Sequence, residues 1–239
     1  TVIGADDPLR TWLLELAVLR TEGVELRNDN QAIKTPADHW LPFVKGITPG
    51  ESYMSTTLWS GPFGDAYVLR NAEVGADRWP FWRDFYARYP VESVLEVGCG
   101  NGSNLMWSTA PRKAGEDVNE GAIIAAQARV PRALLMGAPA SRLPFPDRSY
   151  ELVMTAGVLI HQSPVDLPKV MDEMWRASWR YLLVIEYPDT DEVEVPYRGQ
   201  RDALWRRPYR KLFEERFDLR HIETWMLTPD VGCDNCAGY

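Results

Sequence analysis

Val94-Leu95-Glu96-Val97-Gly98-Cys99-Gly100-Asn101-Gly102-Ser103-Asn104-Leu105 is the stretch that decides the fold. The apolar, β-branched run from Val94 to Val97, closed by glycine, predicts a short buried strand of a parallel sheet. Gly98, Gly100 and Gly102 predict a tight turn where main chain can approach a ligand without interference from Cβ. Asn104 and the apolar Leu105-Met106-Trp107 behind it predict the start of a helix. Strand, glycine turn and helix together make a nucleotide-binding corner, with backbone N–H groups facing the ligand.

The dinucleotide pattern needs glycine at its first, third and sixth places. Here the sixth place is Ser103, and Glu96 stands inside the strand just ahead of the turn. A carboxylate there suits a cationic ligand and repels a pyrophosphate. The E-x-G-x-G-x-G spacing from Glu96 to Gly102 resembles the first motif of the class I S-adenosylmethionine (SAM) methyltransferases. That resemblance implies an α/β fold with a Rossmann-like, doubly wound, mostly parallel sheet. It also implies SAM as cofactor, S-adenosyl-L-homocysteine (SAH) as product, and cofactor contacts from Glu96, Gly98, Cys99, Gly100, Asn101, Gly102 and Asn104.

At 239 residues and 45% hydrophobic, the chain can bury one sizeable core with an appendage to spare. No apolar run approaches the roughly 20 residues of a membrane span. No basic segment with a cleavage site opens the chain, so secretion is not indicated. The sequence begins at Thr1 rather than Met, which leaves room for residues ahead of it. A net charge of -8 argues against long nucleic acids as partners. Cys99, Cys233 and Cys236 make no disulfide framework and suit a reducing cytoplasm. Cys233-x-x-Cys236 is half a zinc knuckle with no second pair, and no metal is expected.

Asp7 to Arg20 predicts an amphipathic helix, with Asp7 as cap, Pro8 in the first turn, and Leu9, Trp12, Leu13, Leu16 and Leu19 on one stripe. Residues 1–55 read as an N-terminal helical appendage, either a lid or the interface of a homo-oligomer. Residues 56–239 form the main domain. From Leu58 to Asn71 the expectation is an aromatic, glycine-rich loop leading into a polar helix start, with Trp59, Tyr67, Arg70 and Asn71 either packing the entry to the helix, which this stretch alone slightly favours, or reaching over cofactor or acceptor. A helix from Trp79 to Tyr89 then leads into the central strand.

Arg112 to Val118 predicts the second strand. Asp117 follows the glycine turn at the spacing where a carboxylate grips ribose hydroxyls, and Glu116 or Asn119 takes that role if the register slips by one. Val118 and Asn119, at the end of the same strand, join the expected cofactor-binding set, and a helix from Glu120 to Arg129 follows. Leu134 begins a third strand. The passage Gly137 to Val153 resembles the G-D-A-x-x-L-P-F-x-D-x-S-F-D-L-V segment of the same methyltransferases, whose Asp holds the adenine amino group. Pro139 stands at that position, so the main chain of Ala140 and Ser141 is left to hold the ring. Leu152 to Ala156 is a fourth strand, and Ala156 and Gly157 complete the cofactor-side set.

His161 lies just past the carboxyl end of that strand, where catalytic groups of open α/β sheets sit. A neutral imidazole there can accept a proton, and a histidine capping the next helix (Pro164 to Trp179) is the equal alternative. Tyr181 to Tyr187 is the fifth strand, whose end offers Glu186 and Tyr187 for orienting an acceptor or passing a proton. A long irregular insertion follows, then the basic run Arg201, Arg206, Arg207, Arg210 and Lys211, which suits a carboxylate or phosphate on the substrate or else a solvated face. Asp218 to Leu227 alternates like an edge strand. A class I sheet needs one more, antiparallel strand, and residues 232–239 look too short and polar to supply it, so either the closing hairpin is unusual or the sequence stops early.

The pieces together resemble one subgroup, the pseudaminic acid biosynthesis-associated methylases and related small-molecule methyltransferases. The shared residues are Trp59-x-Gly61-x-Phe63-Gly64-Asp65-x-Tyr67 with Arg70-Asn71, Gly157 to His161, Glu186-Tyr187, Tyr197-Arg198-Gly199 and Asp234-Asn235. The family's later K-R-D element stands here as Arg206-Arg207-Pro208, without its acidic member. The resemblance implies methylation of a hydroxyl or amine on a sugar-like or natural-product acceptor. It also implies that Trp59, Tyr67, Arg70, Asn71, Tyr197 and Arg198 line the acceptor site. A SAM-binding partner or scaffold that no longer methylates is the alternative.

Overall fold

The computed structural model describes residues 12–19, 54–71 and 78–227. Five strands run parallel: β2 (Ser93–Val97), β3 (Arg112–Asp117), β4 (Leu134–Gly137), β5 (Tyr150–Ala156) and β6 (Ser178–Glu186). They lie in the order β4-β3-β2-β5-β6, so the winding direction reverses between β2 and β5. That reversal opens a crevice at the strands' carboxyl ends, the position where open α/β sheets bind ligands. The expected Rossmann-like sheet is present.

Apolar runs buried on both faces make this sheet. All five residues of β2 are buried, and Val94, Leu95, Val97, Leu152 and Val153 have no exposed surface or almost none. Each such side chain contributes about 1.5–3 kcal/mol of burial free energy. Helices α3 (Trp79–Arg88), α4 (Glu120–Arg129) and α5 (Leu167–Ala177) flank the sheet. In α5, Val170, Met171, Met174 and Ala177 form the buried stripe at helical spacing. Asn119 caps α4, its side chain accepting the Ala122 N–H at 2.9 Å.

Three expectations change. Trp12–Leu19 is a strand, β1, and not part of a helix. The run Trp-Leu-Leu-Glu-Leu-Ala-Val-Leu is nearly continuous in apolar residues, and such a run fits an interior strand as well as a helical stripe. β1 pairs antiparallel with β6 on one side and with β9 (Leu219–Leu227) on the other. The antiparallel strand that the C-terminus could not supply therefore comes from the other end of the chain. Residues 1–11 and 20–53 of the proposed appendage, and Cys233, Cys236, Asp234 and Asn235, lie outside the described residues.

The helix expected after the glycine turn is a single 3-10 turn, Leu105–Trp107. Ser108 is extended, its hydroxyl accepts the Ala110 N–H, and Pro111 follows directly, so the chain enters β3 without room for more helix. The aromatic loop is instead two short helices, α1 (Met54–Ser60) and α2 (Pro62–Arg70), broken at Gly61. Gly64 makes the elbow possible, because a Cβ there would stand 1.8 Å from the Trp59 carbonyl oxygen. Within the insertion, β7 (Val193–Glu194) and β8 (Trp205–Arg206) form a small ribbon ahead of α6 (Tyr209–Arg216). No helix among the described residues is long and apolar enough to cross a membrane.

Candidate active site

A cleft of about 1590 Å³, part of it open to solvent, lies at the carboxyl ends of the parallel strands. The glycine turn forms its floor. Gly98, Gly100 and Gly102 all have positive φ, and a Cβ on Gly98 would come 2.4 Å from the Val158 side chain. The turn is therefore held by chain geometry that only glycine tolerates.

Carboxyl groups of this protein already occupy two of the turn's amides. Glu116 Oε2 accepts the Gly98 N–H at 3.3 Å, and Asp117 Oδ2 accepts the Gly100 N–H at 2.9 Å. Asp117 Oδ1 takes the Asn119 N–H at 2.8 Å. Burial raises Asp117 above the usual carboxylate range against those hydrogen bonds, and burial with the neighbouring Asp117 charge raises Glu116 further.

Beside the turn, Arg78 Nη1 donates to Asn104 Oδ1 at 2.8 Å and Asn104 Nδ2 donates to Glu96 Oε1 at 2.7 Å. Glu96 is buried, and its Oε2 has no partner. Burial pushes its pKa up to about 8, with Asn104 and Arg78 pulling the other way.

The helices α1 and α2 are tied to the floor by asparagines. Asn119 Nδ2 donates to Asp65 Oδ1 at 2.8 Å and to the Trp59 carbonyl at 3.1 Å, and Asn101 Nδ2 donates to the Asn71 carbonyl at 2.6 Å. Opposite lies an aromatic group. Trp59 stands 4.4 Å from His161 and 5.3 Å from Tyr67 between ring centroids, and Tyr197 lies 5.1 Å from His161.

His161 is buried, and its Nδ1 lies 2.6 Å from the Ala203 carbonyl oxygen. A carbonyl only accepts, so Nδ1 carries the hydrogen and the neutral ring keeps its lone pair on Nε2. Burial lowers the pKa to about 4 against that bond, so the ring is neutral near pH 7.

The cleft lining includes Glu96, Gly98, Cys99, Gly100, Asn101, Asn104, Asp117, Val118, Asn119, Ala140, Ser141, Ala156 and Gly157 of the expected cofactor set, leaving out Gly102. Of the acceptor set it includes Trp59, Tyr67 and Asn71. Arg70 and Arg198 stand away from the lining, against the rings of Tyr67 and Tyr197 at 6.0 and 5.9 Å, and Tyr197 stands behind His161. His161 lines the cleft, whereas Glu186 and Tyr187 are buried away from it. Both Glu186 oxygens are committed to the main chain, accepting the N–H groups of Val158, Leu159 and Ile160 at 2.9, 2.8 and 3.2 Å. Burial raises Glu186 to about 7 despite those three donors.

Arg78, Glu116, Gln162 and Asp166 also line the cleft, outside the set expected from the sequence. Glu116 is legible there only as the register alternative to Asp117, and Arg78 carries no local signal. Four of the five cations of the basic run are paired, Arg206 with Asp189, Arg207 with Glu192, Arg210 with Glu214 and Lys211 with Glu215, and Arg201 is exposed. None of these cations lines the cleft.

Residues 94–178 match the methyltransferase domain family. The matched segment begins in β2 and ends at the start of β6, taking in the glycine turn, Asp117 and His161. A DhpI–SAH complex resembles the fold with a TM-score of 0.51 at 17% identity, over 69% of this chain and 87% of that one. Magnesium protoporphyrin IX methyltransferase from Synechocystis, with SAH bound, aligns at TM-score 0.45 and 16% identity, over 54% and 71%. The YcgJ protein of Bacillus aligns at 0.37 and 19%, over 51% of this chain and 49% of its own, so the chain spans about half of that protein. No curated protein matches the sequence. The family match is to residues 94–178, and the likeness to the DhpI–SAH complex is one of fold.

Proposed function

We propose that the protein transfers a methyl group from SAM to a hydroxyl or amine of a small molecule, sugar-like or natural-product in character, within a cytoplasmic biosynthetic pathway. The observation that supports this is the state of the Gly98 and Gly100 amides. In a dinucleotide site such amides receive the pyrophosphate. Here Glu116 and Asp117 hold them, with Glu96 close by, so a pyrophosphate would meet acceptors where it needs donors. A cationic nucleoside without phosphate fits that surface.

SAM, when bound, supplies a methyl group already activated on a sulfonium. The protein then has to align the acceptor, exclude water and leave the acceptor lone pair free. Glu96 and the turn would hold the amino-acid end, Asp117 the ribose, and the main chain at Ala140 and Ser141 the adenine. The rings of Trp59 and Tyr67 would receive the acceptor, and His161 would take the proton of a hydroxyl at Nε2. Arg206, Arg207, Arg210 and Lys211 are held in ion pairs of their own away from the cleft, so they are given no part in binding the acceptor.

Calorimetry with SAH beside NADH tests the reading. SAH is expected to bind and NADH not to, and NADH binding without SAH would overturn it. Mass spectrometry for gain of one methyl on candidate metabolites then identifies the acceptor. Pro139 at the adenine wall favours a second reading, a SAM-binding scaffold, which tight SAH binding without transfer across a broad acceptor panel would support.

A further inference from the structure

We propose that Arg207 is a positioning residue for His161, acting through the segment 188–208 that lies between β6 and α6. The inference rests on the reading of His161 as proton acceptor, and deepens it.

The turn Leu159–His161 has its polar main-chain groups gripped from two sides. Glu186 accepts the N–H groups of residues 158–160, and Arg207 Nη1 donates to the Leu159 carbonyl at 3.2 Å. Arg207 has no exposed surface at all, while its ion-pair partner Glu192, at 2.6 Å from Nε, is about half exposed. A fully buried guanidinium is costly unless it is paired and hydrogen-bonded. Its place here follows from what it connects: the histidine turn and the insertion.

The same segment supplies the acceptor for the ring. Ala203 is buried against His161, and the strand-like bond from the Val195 N–H to the Leu204 carbonyl at 2.8 Å keeps the ribbon closed around it. The Arg207 carbonyl in turn accepts the Asp189 N–H at 3.1 Å, closing the segment at its base. Holding Leu159 and the Ala203 loop in fixed relation fixes the hydrogen on Nδ1 and the lone pair on Nε2. Without the Arg207 contact the turn and the loop can separate. Both tautomers then become accessible, and the ring gains water.

The test is the ring ¹⁵N spectrum of His161 across about pH 3–8, which needs neither acceptor nor turnover. The chain has three histidines, and a His161→Asn variant assigns the signal. The wild-type ring is expected to hold a protonated Nδ1 and an unprotonated Nε2 down to about pH 4. In Arg207→Met the two nitrogen shifts should converge, and the pKa should rise towards the solution value of about 6.5. A folded Arg207→Met protein with the wild-type tautomer and pKa would overturn the proposal. Should Arg207→Met fail to fold, Glu192→Gln on the half-exposed partner decides the matter: mixing in the same direction supports the role, an unchanged ring removes it. SAH binding, measured on the same samples, is expected to be unchanged. Its absence from the wild type would defeat the methyltransferase reading and leave the tautomer result standing.

Discussion

Asp117 Oδ2 accepts the Gly100 N–H at 2.9 Å, so the carboxylate at the tip of β3 braces the glycine turn while it faces the cleft. Asp117→Asn puts an amide where an acceptor serves both that N–H and the Asn119 N–H. Charge-assisted hydrogen bonds contribute about 1.5–3 kcal/mol each, so SAH affinity should fall about 10- to 100-fold. Isothermal calorimetry on the variant measures it, and an unchanged affinity would remove Asp117 from the ribose role.

Glu96 titrates at about 8 because burial outweighs its bonds to Asn104 and the charge of Arg78. A cation bound beside it favours the carboxylate, so SAM binding should release a proton in solutions below that value. SAM affinity should therefore rise between about pH 6 and 8.5, and binding heats near pH 7 should differ between phosphate and Tris. Glu96→Gln should abolish the difference.

Without ligand the sign reverses. The unfolded chain loses this proton near 4.5 and the folded one near 8, so the folded state binds more protons across that window. The contribution of Glu96 to stability is whole below about 4.5 and is lost as pH rises through about 8. Comparison of melting curves for wild type and Glu96→Gln over that range reads it directly.

Gly64→Ala tests the α1–α2 elbow. The added methyl would overlap the Trp59 carbonyl oxygen, a main-chain atom that cannot swing aside. A loss of about 1–3 kcal/mol is expected from such overpacking, seen as a lower thermal midpoint together with weakened acceptor binding.

His161→Ala separates the two acceptor chemistries. With a hydroxyl acceptor, turnover should drop about 10²-fold or more because the proton has nowhere to go. With an amine already neutral at working pH the drop should be small. Rates of both variant and wild type, once the acceptor is identified, decide between them.

The parallel half of the sheet could be read because its signals are local. An apolar run closed by glycine ends β2 at Val97, and Asn119 followed by alanine-rich residues starts α4 where expected. Trp12–Leu19 could not be read this way, since its partners are Tyr181 to Glu186 and Leu219 to Leu227, and pairing across such distances leaves no trace in a short window. In the cleft, residue types were legible while their commitments were not. Glu186 looks like an available carboxylate in sequence, and only the fold reveals that three amides of the next crossover consume it. Asn101 and Asn119 likewise look like ligand contacts, yet their side chains fasten α1 and α2.

The placement of β1 between β6 and β9 also sets an order of assembly. β1 precedes residues 178–227 in the chain and can find its seat only after they have emerged from the ribosome, so the sheet closes with a long-range step. Until then β6 keeps an open edge, and β9 lacks the strand it pairs with among the described residues.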